Sequence, residues 1–224
     1  MNHHHRLRTS FIFGLLITSA TALPAQQTYG APSLQVKILA QSPAETSTDL
    51  QIFCLFRSTP QNTLHGSLTE TNEKLHGLLD QVRKPGLFNG DLGETLLLTP
   101  PAGTLHAKKI LVIGLGDSAT FTPERMTLVG RIAFHEANRL GIAHPFFAPT
   151  ILDGGVEGFA TGLVAEQVVR GFREALATEK LLQTNHAAAG IAVKDFTFLA
   201  GAKNVPSTQE GIDRALGNPA HSPR

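Results

Sequence analysis

"KKILVIGLGDSATFTPERM", residues 108–126, is the stretch that decides the fold. Its apolar run without alternation, "KILVIG" at 109–114, predicts a strand buried on both faces. A helix is signalled a few residues later. Thr122 is placed as its N-cap, Pro123 as its first residue and Glu124 near its positive end. Phe121 and Met126 are spaced as a hydrophobic staple. Met126, Val129, Ile132, Ala133, Ala137 and Leu140 then share one helical face, and Gly141 stops the helix. A strand, a glycine corner and a helix raise the question of a nucleotide-binding turn. The dinucleotide fingerprint requires three glycines and a helix that opens inside the motif. Here Gly114 and Gly116 are followed by Asp117, Ser118 and Ala119, the helix starts too late, and Asp117 puts a carboxylate where a phosphate would sit. The Gly-Lys-Ser/Thr ending of a phosphate loop is also absent. The corner reads as a structural turn.

Working outward, "LQVKIL" (34–39), "DLQIFCLF" (49–56), "ETLLLT" (94–99), "PFFAPTIL" (145–152) and "FTFLAG" (196–201) are the remaining strand candidates. Lack of alternation in "ETLLLT" predicts burial on both faces, and Pro149 predicts an edge or a bulge for 145–152. Leu75, Leu78, Leu79 and Val82 lie on one face of a helix that ends at Lys84-Pro85-Gly86. A long helix is expected from about residue 155 to 180. Its Gly158, Gly162 and Gly171, each costing roughly 1 kcal/mol against alanine in a helix interior, imply close helix-to-sheet packing. Ser207 and Glu210 are spaced as a capping box for a last helix, stopped by Gly217. The order is strand, strand, helix, strand, strand, helix, strand, helix, strand, helix. That order predicts an α/β fold: a three-layer α/β/α sandwich with a mixed sheet, spanning 34–217 and followed by a tail at 218–224.

Residues 1–25 combine Arg6 and Arg8, a short apolar core at 11–23 and small-residue sites after Ala22 and Ala25, the pattern of a secretory signal peptide. About 20 apolar residues are needed to span a bilayer, so the core is too short to be an anchor. A flexible leader at 26–33 follows. The expected address is periplasmic or secreted. Removal of Arg6 and Arg8 takes the formal charge from +1 to −1. A chain so nearly neutral, without a Lys/Arg cluster, gives no case for nucleic acid or an anionic membrane as partner. The single cysteine, Cys54, lies in an apolar run and reads as a buried structural thiol.

A wider stretch, "GETLLLTPPAGTLHAKKILVIGLGDSATFTPERMTLVGRIAFHEANRL", resembles the amino-terminal domain of the leucyl aminopeptidases, a family of two-metal peptidases. The shared pattern is Gly-Glu before an apolar strand, a Pro/Gly loop, a basic residue, strand-Gly-Leu-Gly, a Thr-Pro-Glu helix start and an alanine-rich helix. "VEGFATGLVAEQVVRGFREALATEK" is similar to the next element of the family. The resemblance implies a macro-domain-like fold. It also implies that catalysis belongs to a second domain with an Asn-Thr-Asp-Ala-Glu-Gly-Arg motif, which does not occur in this sequence. No catalytic residue is therefore carried over.

The remaining chemical motifs are sparse. His135-Glu136 is a near miss for a zinc helix, because Arg139 stands where the second imidazole of H-E-x-x-H is needed. The pair reads as solvent-facing. No metal and no cofactor are expected. Asn89 and Asp91 flank Gly90 ahead of a strand, and loops beside the sheet of a macro-like fold can form a cleft. Asn89, Asp91, Gly114, Gly116, Asp117 and Ser118 are accordingly the ligand-binding candidates. The leading expectation is an exported, non-catalytic binding or assembly module of a peptidase system. Its partner would be a separate aminopeptidase catalytic chain or a second copy of itself. The alternatives are a macro-like domain acting on a nucleotide derivative such as ADP-ribose, or a truncated remnant of an aminopeptidase.

Overall fold

Apolar runs become the sheet. A computed structural model describes residues 34–59, 63–84 and 86–217; the expected signal peptide (1–25), leader (26–33) and tail (218–224) lie outside the described residues. The strands are β1 (Gln35–Leu39), β2 (Gln51–Leu55), β3 (Thr95–Leu98), β4 (Ile110–Gly114), β5 (Phe146–Ala148) and β6 (Asp195–Leu199), in the spatial order β1-β6-β5-β2-β4-β3. All neighbours run parallel except β3, which is antiparallel to β4, so the sheet is mixed. Every residue of β2, β4 and β6 is buried, including the polar Gln51, Asp195 and Thr197; of the three, only β4 is a continuous apolar run.

Alternate side chains of the central strands feed two cores. Ile52 and Cys54 of β2, with Leu111 and Ile113 of β4, pack beneath α3 (Arg125–Arg139), α4 (Thr161–Thr184) and α5 (Val205–Leu216). Phe53 and Leu55, with Ile110 and Val112, pack beneath α1 (Gly66–Lys74) and α2 (Leu78–Arg83). The result is three layers, helices on both faces of one sheet.

Four expectations are corrected. The single helix over 69–82 is two, because His76 and Gly77 take left-handed backbone (φ 55° and 76°) and break it. Asn72 Oδ1 then accepts the amides of Leu79 and Asp80, so α1 supplies the cap of α2. β3 is an edge strand that alternates exposed and half-buried residues, with Leu97 39% exposed, rather than a strand covered on both faces. β5 is interior, between β6 and β2, although Pro149 predicted an edge or a bulge; the strand ends at Ala148, before the proline. Ser207 lies inside α5, which starts at Val205 with Pro206 in its first turn, so the capping box is not formed. Smaller shifts are that α3 opens at Arg125 and α4 at Thr161, leaving Gly158 outside the helix at φ 82°.

The helix glycines serve helix-to-helix rather than helix-to-sheet packing. A Cβ on Gly130 of α3 would overlap the Val168 carbonyl of α4, and one on Gly171 of α4 would overlap the Thr127 carbonyl of α3. Likewise, Cβ atoms on Gly162 of α4 and Gly211 of α5 would overlap the Ser207 and Gly162 carbonyls. Backbone lies on backbone at both crossings, so a methyl group there must move a whole helix. Gly211→Ala should therefore destabilise the fold by about 2 kcal/mol or more in denaturant unfolding, against the ~1 kcal/mol that helix propensity alone would add. Gly190, with nothing within 4 Å of an added Cβ, is the control. A Gly211→Ala variant as stable as Gly190→Ala would contradict the packing account.

Candidate functional site

Strand β5 stops early, at Ala148. Its register with β2 runs from Gln51 opposite Phe146 to Phe53 opposite Ala148. The Phe146 amide donates to Leu50 of β2 and the Pro145 carbonyl accepts from Thr197 of β6, so by alternation Pro149 faces β6 and Cys54 would next meet the backbone of Thr150. The Thr150 side chain stands in for it. Its hydroxyl accepts the Cys54 amide at 3.0 Å and donates to the Cys54 carbonyl at 2.6 Å. Thr150 holds this position at φ 50°, a left-handed conformation costly for a β-branched residue. Beyond it the chain leaves the sheet in the turn of residues 151–155.

That turn forms one wall of a cleft of about 480 Å³, at the carboxyl ends of parallel strands β1, β5 and β6. Open α/β sheets place ligands at this end. The loop after β1 contributes Ser42 and Glu45, the loop after β5 contributes Asp153 and Phe159, and the loop after β6 contributes Lys203. Ser42 donates to Glu70 Oε2 at 2.6 Å; this bond, opposed by burial and helped by Lys74 at 3.0 Å, holds the Glu70 carboxyl below its ordinary range. Charged lining groups are Glu45 and Asp153 against Lys203, a net negative surface.

Two helix N-termini reach the cleft, and they differ. Asp153 lies over the start of α1: its carbonyl accepts the His65 amide at 2.9 Å, and its carboxylate accepts the Ser67 hydroxyl. A Cβ on Gly66 would overlap that carboxylate, so glycine is what admits it. The positive end of α1 is thus already matched with an anion. α4 has no side-chain cap at Ala160, and Thr161 in its first turn lines the cleft while its hydroxyl bonds that of Ser207 on α5.

The structure brings the six sequence-predicted residues together, but in a different place. Residues 90–91 lie directly on Gly114, whose Cβ would overlap the Asp91 carbonyl, and the Gly116 amide donates to the Gly90 carbonyl at 2.8 Å. The amides of Asn89 and Asp91 donate to Glu94, at 3.2 and 3.0 Å, and Asp91 pairs with Arg57 at 2.6 Å. Gly116 takes φ 77°, and Asp117 Oδ1 accepts the Ala119 amide at 2.9 Å, capping the short 3-10 turn at Ser118–Thr120. These bonds run to neighbouring residues of the same corner, and none of the six lines the cleft. What sequence reading missed are loops 40–45, 149–153 and 201–204, whose signal is only that each follows a strand.

His135 and Glu136 do not act as a pair. His135 Nδ1 lies 3.6 Å from Glu179 on α4, and Glu136 pairs with Arg139 within α3. Cys54 is fully buried, and burial pushes its thiol well above the ordinary range, consistent with a packing role. Among the described residues, no group of three or more His, Cys, Asp or Glu is placed to hold a metal ion, and no helix is long and apolar enough to cross a membrane.

Comparison with known proteins agrees with this architecture. The model of the cytosol aminopeptidase family, N-terminal domain, matches residues 53–184. A probable cytosol aminopeptidase of Roseiflexus castenholzii is 27% identical over 141 residues, covering 62% of this chain and 26% of its own length. The chain therefore spans about a quarter of that relative. Among solved structures, a mutant of tomato leucine aminopeptidase superposes with a TM-score of 0.61 at 18% identity, over 83% of this chain and 36% of the other. A Trypanosoma brucei macrodomain in complex with ADP-ribose gives a TM-score of 0.56 at 16% identity, over 82% of this chain and 69% of the other. At these identities the two structures establish the macro-domain-like fold.

The Thr150 hydroxyl can be tested alone. Thr150→Val keeps the shape and removes both bonds, leaving the buried amide and carbonyl of Cys54 unpaired. A loss of about 2–4 kcal/mol is expected in denaturant unfolding, at roughly 1–3 kcal/mol per orphaned group. Thr150→Ser should keep most of the stability. Equal stability of the valine and serine variants would contradict the role given to the hydroxyl.

Proposed function

Because the chain belongs to the cytosol aminopeptidase family, matching its N-terminal domain, we propose that this domain is a non-catalytic, exported binding module that engages a polypeptide partner through the cleft at the ends of β1, β5 and β6. The partner is a separate aminopeptidase catalytic chain, or a second copy of the domain. The observation that carries the reading is the placement of Asp153. It fills the positive end of α1 and, with Glu45 against Lys203, makes the lining net negative. Such a cleft favours a neutral or cationic segment and opposes a diphosphate. Its apolar floor, which includes Ile151, Phe159, Val164 and Phe198, supplies area for side chains.

A second reading, binding of a nucleotide derivative, is favoured by one feature, the uncapped N-terminus of α4 at the same cleft. The macrodomain neighbour that holds ADP-ribose makes that compound the appropriate probe.

One preparation tests both. The form recovered outside the cytoplasm should begin at Leu23 or Gln26 by intact mass; recovery only as a cytoplasmic species retaining Met1 contradicts export. This form should not hydrolyse leucine amides, and should sediment as a complex with a catalytic chain or as a dimer. ADP-ribose should leave its melting temperature unchanged. A ligand at a hundred times its dissociation constant adds about 2.7 kcal/mol, a rise of roughly 5–10 °C for a domain this size. Such a rise in the wild type, without any assembly, would overturn the module in favour of the nucleotide reading.

A further inference from the structure

A second cleft, of about 330 Å³, opens between the segment after β2 and helices α1 and α2. It shares no lining residue with the first cleft. Arg83, at the end of α2, lines it with only 7% of its surface exposed. A guanidinium carries five N–H donors in a fixed fork. Among the described residues, Arg83 Nη2 reaches the Phe56 carbonyl at a long 3.4 Å, and the buried Nε has no partner. A cation withdrawn from water in this way is costly unless an anion or a full set of acceptors compensates it.

The other lining groups say which anion fits. Lys84 adds a second positive charge, and Ser58, Thr59, Thr63 and Thr69 add hydroxyls. Asp80 is the opposing charge and acts on Arg83 from a distance, while its carboxylate accepts the Asn72 amide at 2.9 Å; the lining keeps a net charge of +1. A planar carboxylate is satisfied by a guanidinium fork alone, whereas hydroxyls arranged around a cation suit a group that accepts from several directions. We propose that this cleft is an anion site for a phosphate group, free or as a monoester, held by the Arg83 guanidinium and Lys84 with the hydroxyls of Ser58 and Thr59 as further donors.

The test follows the Arg83 Nε–Hε resonance by NMR while inorganic phosphate or glycerol phosphate is added at constant ionic strength, with chloride as the control. A saturable shift is expected from at least one of the two probes. Saturation by both means a free phosphate suffices, and saturation by the monoester alone assigns the site to an esterified phosphate. Arg83→Met should weaken binding by about 10-fold or more, the size of a charge-assisted hydrogen bond. If that variant does not fold, the exposed Lys84→Gln variant should still fold and bind more weakly than wild type. A resonance that neither probe moves, or a shift that chloride reproduces, would overturn the proposal.

Discussion

The cleft depends on one hydroxyl. Three-residue β5 sits in the middle of the sheet, and its backbone pairing with β2 ends at Ala148. Thr150 Oγ1 continues the bonding through both backbone groups of Cys54. With the ladder satisfied, the chain can leave the sheet into the turn that carries Asp153 to the start of α1. The opposite wall is set by contacts of another kind, the glycine crossings that hold α4 against α3 and α5. A hydrogen bond at one wall and the absence of Cβ atoms at the other fix the same opening.

Charge divides the surface into two kinds of site. At the sheet ends, a helix N-terminus that would attract an anion is already matched by Asp153, and the lining is net negative. Beside α2, the buried Nε of a guanidinium has no hydrogen-bond partner among the described residues, and the lining is net positive. Macro-domain-like architecture alone would not distinguish them, since a fold does not fix the ligand of its loops. The particular residues do, by the sign of what each site leaves unmatched.

Much of the architecture was legible because it rests on local signals. A continuous apolar run marked β4, short apolar-rich stretches marked β2 and β6, and the order of elements indicated the three layers. Where reading failed, a distant partner had overridden a local rule. Pro149 pointed to an edge or a bulge within 145–152, yet the strand ends before it, at Ala148, and the Thr150 side chain continues the bonding to Cys54. "ETLLLT" looks covered on both faces, yet β3 lies at the edge because nothing pairs on its far side. Gly162 signals close approach, but its partner Gly211 is far away in sequence, so helix rather than sheet could not be read. The candidate ligand residues show a related effect of distant partners. The Asn89 amide, Asp91 and Asp117 bond Glu94, Arg57 and Ala119, partners that the local sequence pattern did not indicate. The cleft itself is built from three loops with no motif, brought together only by strand order.

The central claim is that the sheet-end cleft, and not the Gly-Leu-Gly corner, is where this domain meets its partner. An amide-resolved NMR titration of the domain with a purified aminopeptidase catalytic chain tests it most directly. The account predicts shifts concentrated in residues 40–45, 150–153 and 201–204. Shifts confined to residues 89–91 and 114–118 would contradict it.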